Sequence, residues 1–407
     1  MVDVGSAFLL AGVILIIGFV SDEVSHRFGI PDLLVMIGLG ILLGPGLGFI
    51  PREPLMGIAP FFAALALLII LFESGLNLPL GKALTGVPRA FVVGSLSVGF
   101  SIIVALIILV PFLGWGPLEA VLLGGIVGGS SSAVILSLAP KTSLGSKVKA
   151  ILSLESIYTD ALIVVFALIV MRVLAIPSER VTLGTILSEI MGSLFIGVLV
   201  GVAAAILWGK VAARVHGKLF SDVITLGVAI LLYGFSEQIG GSGAISVFVF
   251  GIILGNPRRV YPRLQMSTPQ DFSPYSRKFY AQMSFLMRTY FFAYLGIIFQ
   301  FPDPWMLLIG VTLTAGLLAV RYLAVLLGTY GLRLKRWEKF SMTLLCGRGL
   351  AAAVLANLAI SYALPISGTL ILLTTQVIIY TSIISGIGAY LPLGRGGGRP
   401  LRTRLSV

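Results

Sequence analysis

Apolar residues in this chain run in unbroken blocks of roughly 20, the length a helix needs to cross a bilayer's hydrocarbon core with every backbone group bonded internally. Polar residues or Gly/Pro breaks separate the blocks. Read this way, the pattern predicts helical segments near 4–21, 30–50, 57–79, 89–112, 118–140, 148–174, 183–209, 219–236, 241–255, 278–300, 304–332, 339–362 and 366–391. The expected fold class is an all-α integral membrane protein of about thirteen transmembrane helices, numbered here as segments 1 to 13. Segment 1 has no basic residue before it and no small-residue cleavage site after it, so it is read as a retained helix and not a leader.

Composition agrees with the pattern. The 407 residues are 57% hydrophobic and 11% charged, with a mean hydropathy of +1.07, whereas soluble domains carry about 25% charged residues. A net charge of +12 raises the question of a nucleic-acid partner. Such proteins gather Lys and Arg on a polar surface, but here they sit between apolar blocks, so no nucleic-acid partner is expected. Their placement is topological. Most of the 28 Lys and Arg fall after odd-numbered segments or in the C-terminal tail, while only Arg52, Arg172 and Arg180 fall on the opposite side. The bias predicts an external N-terminus and a cytoplasmic C-terminus in the cell membrane. The single cysteine, Cys346, excludes an intramolecular disulfide and a Cys-based metal cluster.

The chain also resembles itself. Gly40–Gly44 (GILLG) matches Gly251–Gly255 (GIILG), Gly129–Ala139 (GSSSAVILSLA) matches Gly349–Ala359 (GLAAAVLANLA), and Ile157-Tyr158-Thr159 matches Ile379-Tyr380-Thr381. Any one match is ordinary for small-residue apolar helices; three at offsets of 211, 220 and 222 are not. They pair segments 2 with 9, 5 with 12 and 6 with 13. Two six-helix repeats joined by segment 7 follow, and an odd separation makes the second inverted. Inverted repeats are characteristic of secondary transporters, whose sites lie near the midplane where the repeats meet.

Few ionisable residues remain at membrane depth: Glu73, Glu155, Asp160, Arg288, Arg321 and Arg348. Each is expensive there unless paired or wetted. Glu155 and Asp160 lie five residues apart on segment 6, about 140° around a helix, so they face different partners. One is expected to form a structural ion pair with Arg321 or Arg348, and that one is Glu155. Asp160, too deep to reach the interface, is the candidate to exchange protons. Segment 5 reads Gly124-Gly125-Ile126-Val127-Gly128-Gly129-Ser130-Ser131-Ser132, and its repeat mate in segment 12 reads Gly347-Arg348-Gly349. Glycine and serine weaken helices, so both segments are expected to be interrupted mid-membrane, offering carbonyls and half-helix ends to a cation. Close packing through small residues is the plain alternative. Glu73 and Arg288 are given structural roles, and His26 and His216 are placed in loops.

In order along the chain, Ile30-Pro31 with Gly40-Ile-Leu-Leu-Gly-Pro45, Leu71-Phe72-Glu73-Ser74-Gly75-Leu76, Glu155-Ser156-Ile157-Tyr158-Thr159-Asp160 and Gly347-Arg348-Gly349-Leu350-Ala351-Ala352 resemble the monovalent cation/proton antiporters, which include the archaeal and bacterial sodium/proton antiporters and the animal sodium/proton exchangers. The resemblance covers essentially the whole chain. It implies crossed, interrupted helices 5 and 12 beside an essential carboxylate, Asp160, and a homodimer. It also implies a division: scaffold and dimerisation helices 1–3 over 1–88, core helices 4–6 over 89–174, linker helix 7 and scaffold helices 8–10 over 183–300, core helices 11–13 over 304–391, and a basic cytoplasmic tail over 392–407. The core would move against the scaffold. Thr159-Asp160 stands where electroneutral members carry Asn-Asp and electrogenic ones Asp-Asp. Ser130-Ser131-Ser132 replaces Thr-Asp-Pro and is more like the potassium-efflux branch.

The resulting expectation is a transporter, not an enzyme, with no cofactor. Asp160 would hold either a proton or a monovalent cation, sodium by preference and potassium as the alternative, in electroneutral 1:1 exchange. Thr159, Ser156, Ser131 and Ser130 would supply neutral oxygens. A cation channel is the rival class, but no Thr-Val-Gly filter is present.

Overall fold

Hydrocarbon offers no water to bond a peptide group, so a backbone immersed in it must satisfy its own donors and acceptors. Every regular element among the described residues of the computed structural model is accordingly helical. Those residues are 4–28, 30–50, 52–78, 88–176, 182–215, 220–262 and 274–390. The basic tail, His216 and Arg180 lie outside them.

The α-helices of seven or more residues are α1 (Val4–Phe28), α2 (Asp32–Ile41), α3 (Arg52–Asn77), α4 (Pro88–Leu113), α5 (Pro117–Ile126), α6 (Ser132–Leu138), α7 (Ser146–Leu174) and α8 (Leu183–Val215), followed by α9 (Ser221–Gln238), α10 (Gly243–Gly255), α11 (Pro274–Ile297), α12 (Pro304–Gly328), α13 (Arg336–Leu344), α14 (Leu350–Leu358) and α15 (Ser367–Tyr390). A π turn, Leu42–Gly46, extends α2 around Pro45. Six of them, α3, α4, α7, α8, α12 and α15, contain stretches long and apolar enough to cross a membrane. Proline opens several helices, where its missing N–H costs nothing, and Asp303 Oδ1 accepts the Met306 N–H at 2.7 Å to start α12. His26 falls within α1, not in a loop, because α1 continues seven residues past the predicted end at 21.

The range 118–140 is two helices, α5 and α6, parted at 127–131; 339–362 is likewise α13 and α14, parted at 345–349. The helices pack in two groups. In one, α4 lies against α5, α7 and α12, and α15 against α12, α13 and α14; in the other, α11 lies against α2 and α3, and α10 against α3, α8 and α9. The groups meet chiefly where α14 crosses α3.

Close glycine contacts set the crossings of the second group. A Cβ on Gly40 would lie 2.1 Å from the Ala293 carbonyl oxygen and one on Gly44 2.7 Å from Ile297 Cα; a Cβ on Gly251 would lie 2.6 Å from the Phe72 oxygen and one on Gly255 2.3 Å from the Leu76 oxygen. The two matched GILLG and GIILG motifs thus do the same work, α2 against α11 and α10 against α3, with backbones nearer than any side chain allows.

Candidate functional site

The two breaks touch. Ser131 N–H donates to the Gly347 carbonyl at 2.8 Å, and a Cβ on Gly349 would fall 2.1 Å from Ser131 Oγ, so only glycine admits the crossing. Beside it runs α7, continuous through Glu155 and Asp160. Ser131 at the break is extended (φ −73°, ψ 123°). Two extended residues advance about 6.6 Å and five helical residues about 7.5 Å, so serines 130 and 132 keep step with carboxylates 155 and 160. Each carboxylate receives its own serine.

Ser130 Oγ donates to Glu155 Oε1 at 3.0 Å. Arg321, from α12, closes on the same carboxylate in a two-pronged grip, Nη1 to Oε1 and Nη2 to Oε2, both 2.6 Å, while Nη1 also reaches Ser97 Oγ at 2.8 Å. Glu155 is 0% and Arg321 1% exposed, so this is a fully desolvated pair. Arg348, the other candidate partner, turns elsewhere: its Nη1 donates to the Cys346 carbonyl at 2.9 Å, and its backbone N–H to Thr381 Oγ1 at 3.1 Å. It sits inside the α13–α14 break, where an orphan carbonyl is nearer than Glu155's side of α7.

Asp160 has a different setting. Its Oδ2 accepts the Ser132 hydroxyl at 2.7 Å and the Ser132 N–H at 3.3 Å. No cationic side chain bonds it among the described residues, and it retains 9% exposure where Glu155 has none. Ser132 is the first residue of α6, so its N–H has no partner within that helix and is available to the carboxylate.

The expected oxygen set is rearranged accordingly. Ser130 is committed to Glu155, Ser156 Oγ bonds back to the Ser153 carbonyl at 3.0 Å, and Ser131 holds the crossing. Thr159 Oγ1 ties the break to α7, accepting the Ser130 N–H at 3.2 Å and donating to the Ser156 carbonyl at 3.2 Å. Ser132, outside that expected set, is the residue that meets Asp160. Its sequence signal was its place as the last serine before helix-forming Ala133-Val134-Ile135-Leu136. Ser97 carried no signal, being one of three serines on an apolar helix. Arg288 pairs with Asp32 at 3.3 Å and Asp22 at 3.8 Å, and Glu73 lies near the same guanidinium, all within the second group of helices.

A family model for the transmembrane region of the sodium/hydrogen exchangers matches residues 11–393. The chain belongs to this exchanger family. Among its relatives, the K(+)/H(+) antiporter NhaP2 of Shewanella sp. (strain ANA-3) is 26% identical over 256 residues, 62% of this chain and 44% of that one. The chain therefore spans less than half the length of the NhaP2 proteins it matches. The Na(+)/H(+) antiporter 1 of Methanocaldococcus jannaschii is 23% identical over 361 residues, 85% of this chain and 81% of that one. The solved structure of the sodium proton antiporter MjNhaP1 from the same organism, at pH 8, superposes with a TM-score of 0.78 at 22% identity, covering 95% of this chain and 99% of that one. The exchanger fold is thereby shown. In this exchanger-family chain, the crossed breaks and the two carboxylates of α7 form the candidate site.

Proposed function

We propose that the chain is an antiporter that exchanges a monovalent cation for a proton at Asp160. The observation that carries this reading is the inequality of the two carboxylates: Glu155 is neutralised by Arg321, whereas among the described residues Asp160 has only a serine and a trace of exposure. A bare buried carboxylate is costly to carry through hydrocarbon, by several kcal/mol per ion. Asp160 can shed that cost by binding either H⁺ or a dehydrated cation, and only those two loaded forms then move. Ser132 suits both, because its hydroxyl donates to the free carboxylate and turns its lone pairs to a bound cation.

In this reading thirteen membrane spans form two inverted six-helix repeats about segment 7, and the matched glycine crossings of α2 with α11 and α10 with α3 support the symmetry. The packing groups support a core of α4–α7 and α12–α15 that moves against a scaffold of α1–α3 and α8–α11. A homodimer through the scaffold, an external N-terminus and the cell membrane complete the proposal. One unpaired carboxylate implies one proton per cation and electroneutral exchange. Sodium is the favoured cation; potassium is the second reading, supported by the serine run at 130–132 and by similarity to NhaP2. Adding Li⁺, Na⁺, K⁺ and Rb⁺ separately to proteoliposomes with an imposed pH gradient tests both. Dissipation of the gradient by a cation, lost in Asp160→Asn while the variant remains folded and inserted, is the expected result. Exchange at the unmodified rate in Asp160→Asn, or cation flux with no proton movement, defeats the proposal.

A further inference from the structure

The helix that bears Asp160 also bears Arg172, twelve residues on and near its far end, about 18 Å along the axis at 1.5 Å per residue. Arg172 Nη2 donates to Glu237 Oε2 at 3.0 Å and to the Gly241 carbonyl at 2.8 Å; its Nη1 donates to Glu189 Oε1 at 3.3 Å and to the Gly240 carbonyl at 3.4 Å. Tyr362, from the turn after α14, lies beside the same guanidinium. The opposite Glu237 oxygen accepts the Gly243 N–H at 2.7 Å, which anchors that carboxylate to the start of α10.

These bonds differ from the Glu155–Arg321 pair in one respect that decides their role. Glu155 and Arg321 stand on α7 and α12, which pack in the same group of helices, so they travel together. Arg172 and Tyr362 belong with that group, but Glu189 is on α8, Glu237 is on α9 and Gly240–Gly241 link α9 to α10, all in the other group. We infer that Arg172 is a latch that fixes the height of Asp160 relative to the scaffold and opens once in each transport cycle. The inference rests on the exchange reading above. Because α7 is unbroken, displacement of Asp160 by one helical turn, about 5.4 Å, carries Arg172 the same distance. A hydrogen bond fails beyond about 3.5 Å, so none of the four bonds to the scaffold survives the move. The carboxylates stand at the open side of the latch: Glu189 and Glu237 are 43% and 38% exposed where Arg172 is 13%, so water takes over at both carboxylates as the guanidinium leaves.

The test reads position and flux separately. With Cys346→Ser as background, spin labels at Ala175→Cys and Gln238→Cys report the distance between the ends of α7 and α9. Adding Arg172→Gln is expected to introduce a second, longer distance population; a single unchanged distance overturns the latch even if the variant melts earlier. In the same background, Arg172→Cys and Glu237→Cys joined by a reductant-cleavable bis-methanethiosulfonate linker should lower cation/proton exchange at least tenfold, restored on reduction. Full exchange by the linked protein also overturns the latch. Absence of exchange in the unmodified protein counts against the proposed function instead, and the label distances still decide the latch.

Discussion

Removing Arg321 strands a carboxylate that no water reaches. Glu155 is 0% exposed and receives two 2.6 Å bonds from the guanidinium; in Arg321→Ala it keeps only the Ser130 hydroxyl at 3.0 Å. Breaking a buried pair by deleting one partner costs about 3–5 kcal/mol, or roughly two to three and a half powers of ten in the folding equilibrium. Glu155→Gln should lose a similar amount, since it leaves a buried, charged Arg321 facing neutral acceptors, the amide oxygen and Ser97. Arg348→Ala strands no carboxylate and gives up one bond to the Cys346 carbonyl, so its loss is smaller. A well-packed apolar replacement of a buried pair is often neutral, so Glu155→Leu combined with Arg321→Met should be more stable than either single change. Unfolding in mixed micelles, followed by tryptophan fluorescence, ranks the variants. The reasoning fails if Arg321→Ala unfolds with the parent protein, or if the double variant loses the sum of the two single losses.

Ser132→Ala should weaken cation binding about ten- to a hundredfold, the usual loss when a group supporting an ion-binding carboxylate is removed, because the cation loses the hydroxyl oxygen beside Asp160; Ser130→Ala, whose hydroxyl serves Glu155, should lower stability and leave the half-saturating cation concentration unchanged. Cation-concentration curves in proteoliposomes distinguish the two. Sodium-driven proton flux should be indifferent to a membrane potential set with valinomycin and a potassium gradient, and a steep dependence would show that Glu155 releases Arg321 and titrates. Gly251→Ala places a methyl 2.6 Å from the Phe72 carbonyl oxygen of α3 and should cost about 1–3 kcal/mol, while Gly227→Ala, with nothing within 4 Å, should be neutral or stabilising; thermal unfolding in detergent compares them.

What the sequence determined by itself was whatever depends on neighbours along the chain. Apolar blocks named the helices, because hydrocarbon accepts nothing else. Glycines and serines at 124–132 and 347–349 marked the breaks, because these residues hold a helix weakly. The spacing of Glu155 and Asp160 on one helix meant separate partners. Pairings between elements were not written locally. Arg321 and Arg348 are both arginines in apolar runs, and only the packing of α12 on α4, beside α7, brings the first to Glu155 while the second caps its own break. Ser130, Ser131 and Ser132 are chemically alike; extended backbone keeping step with a helix sends one to Glu155 and another to Asp160. Arg172 and Glu237 lie 65 residues apart, and only the tertiary structure, which sets the end of α7 against the end of α9, makes them one latch.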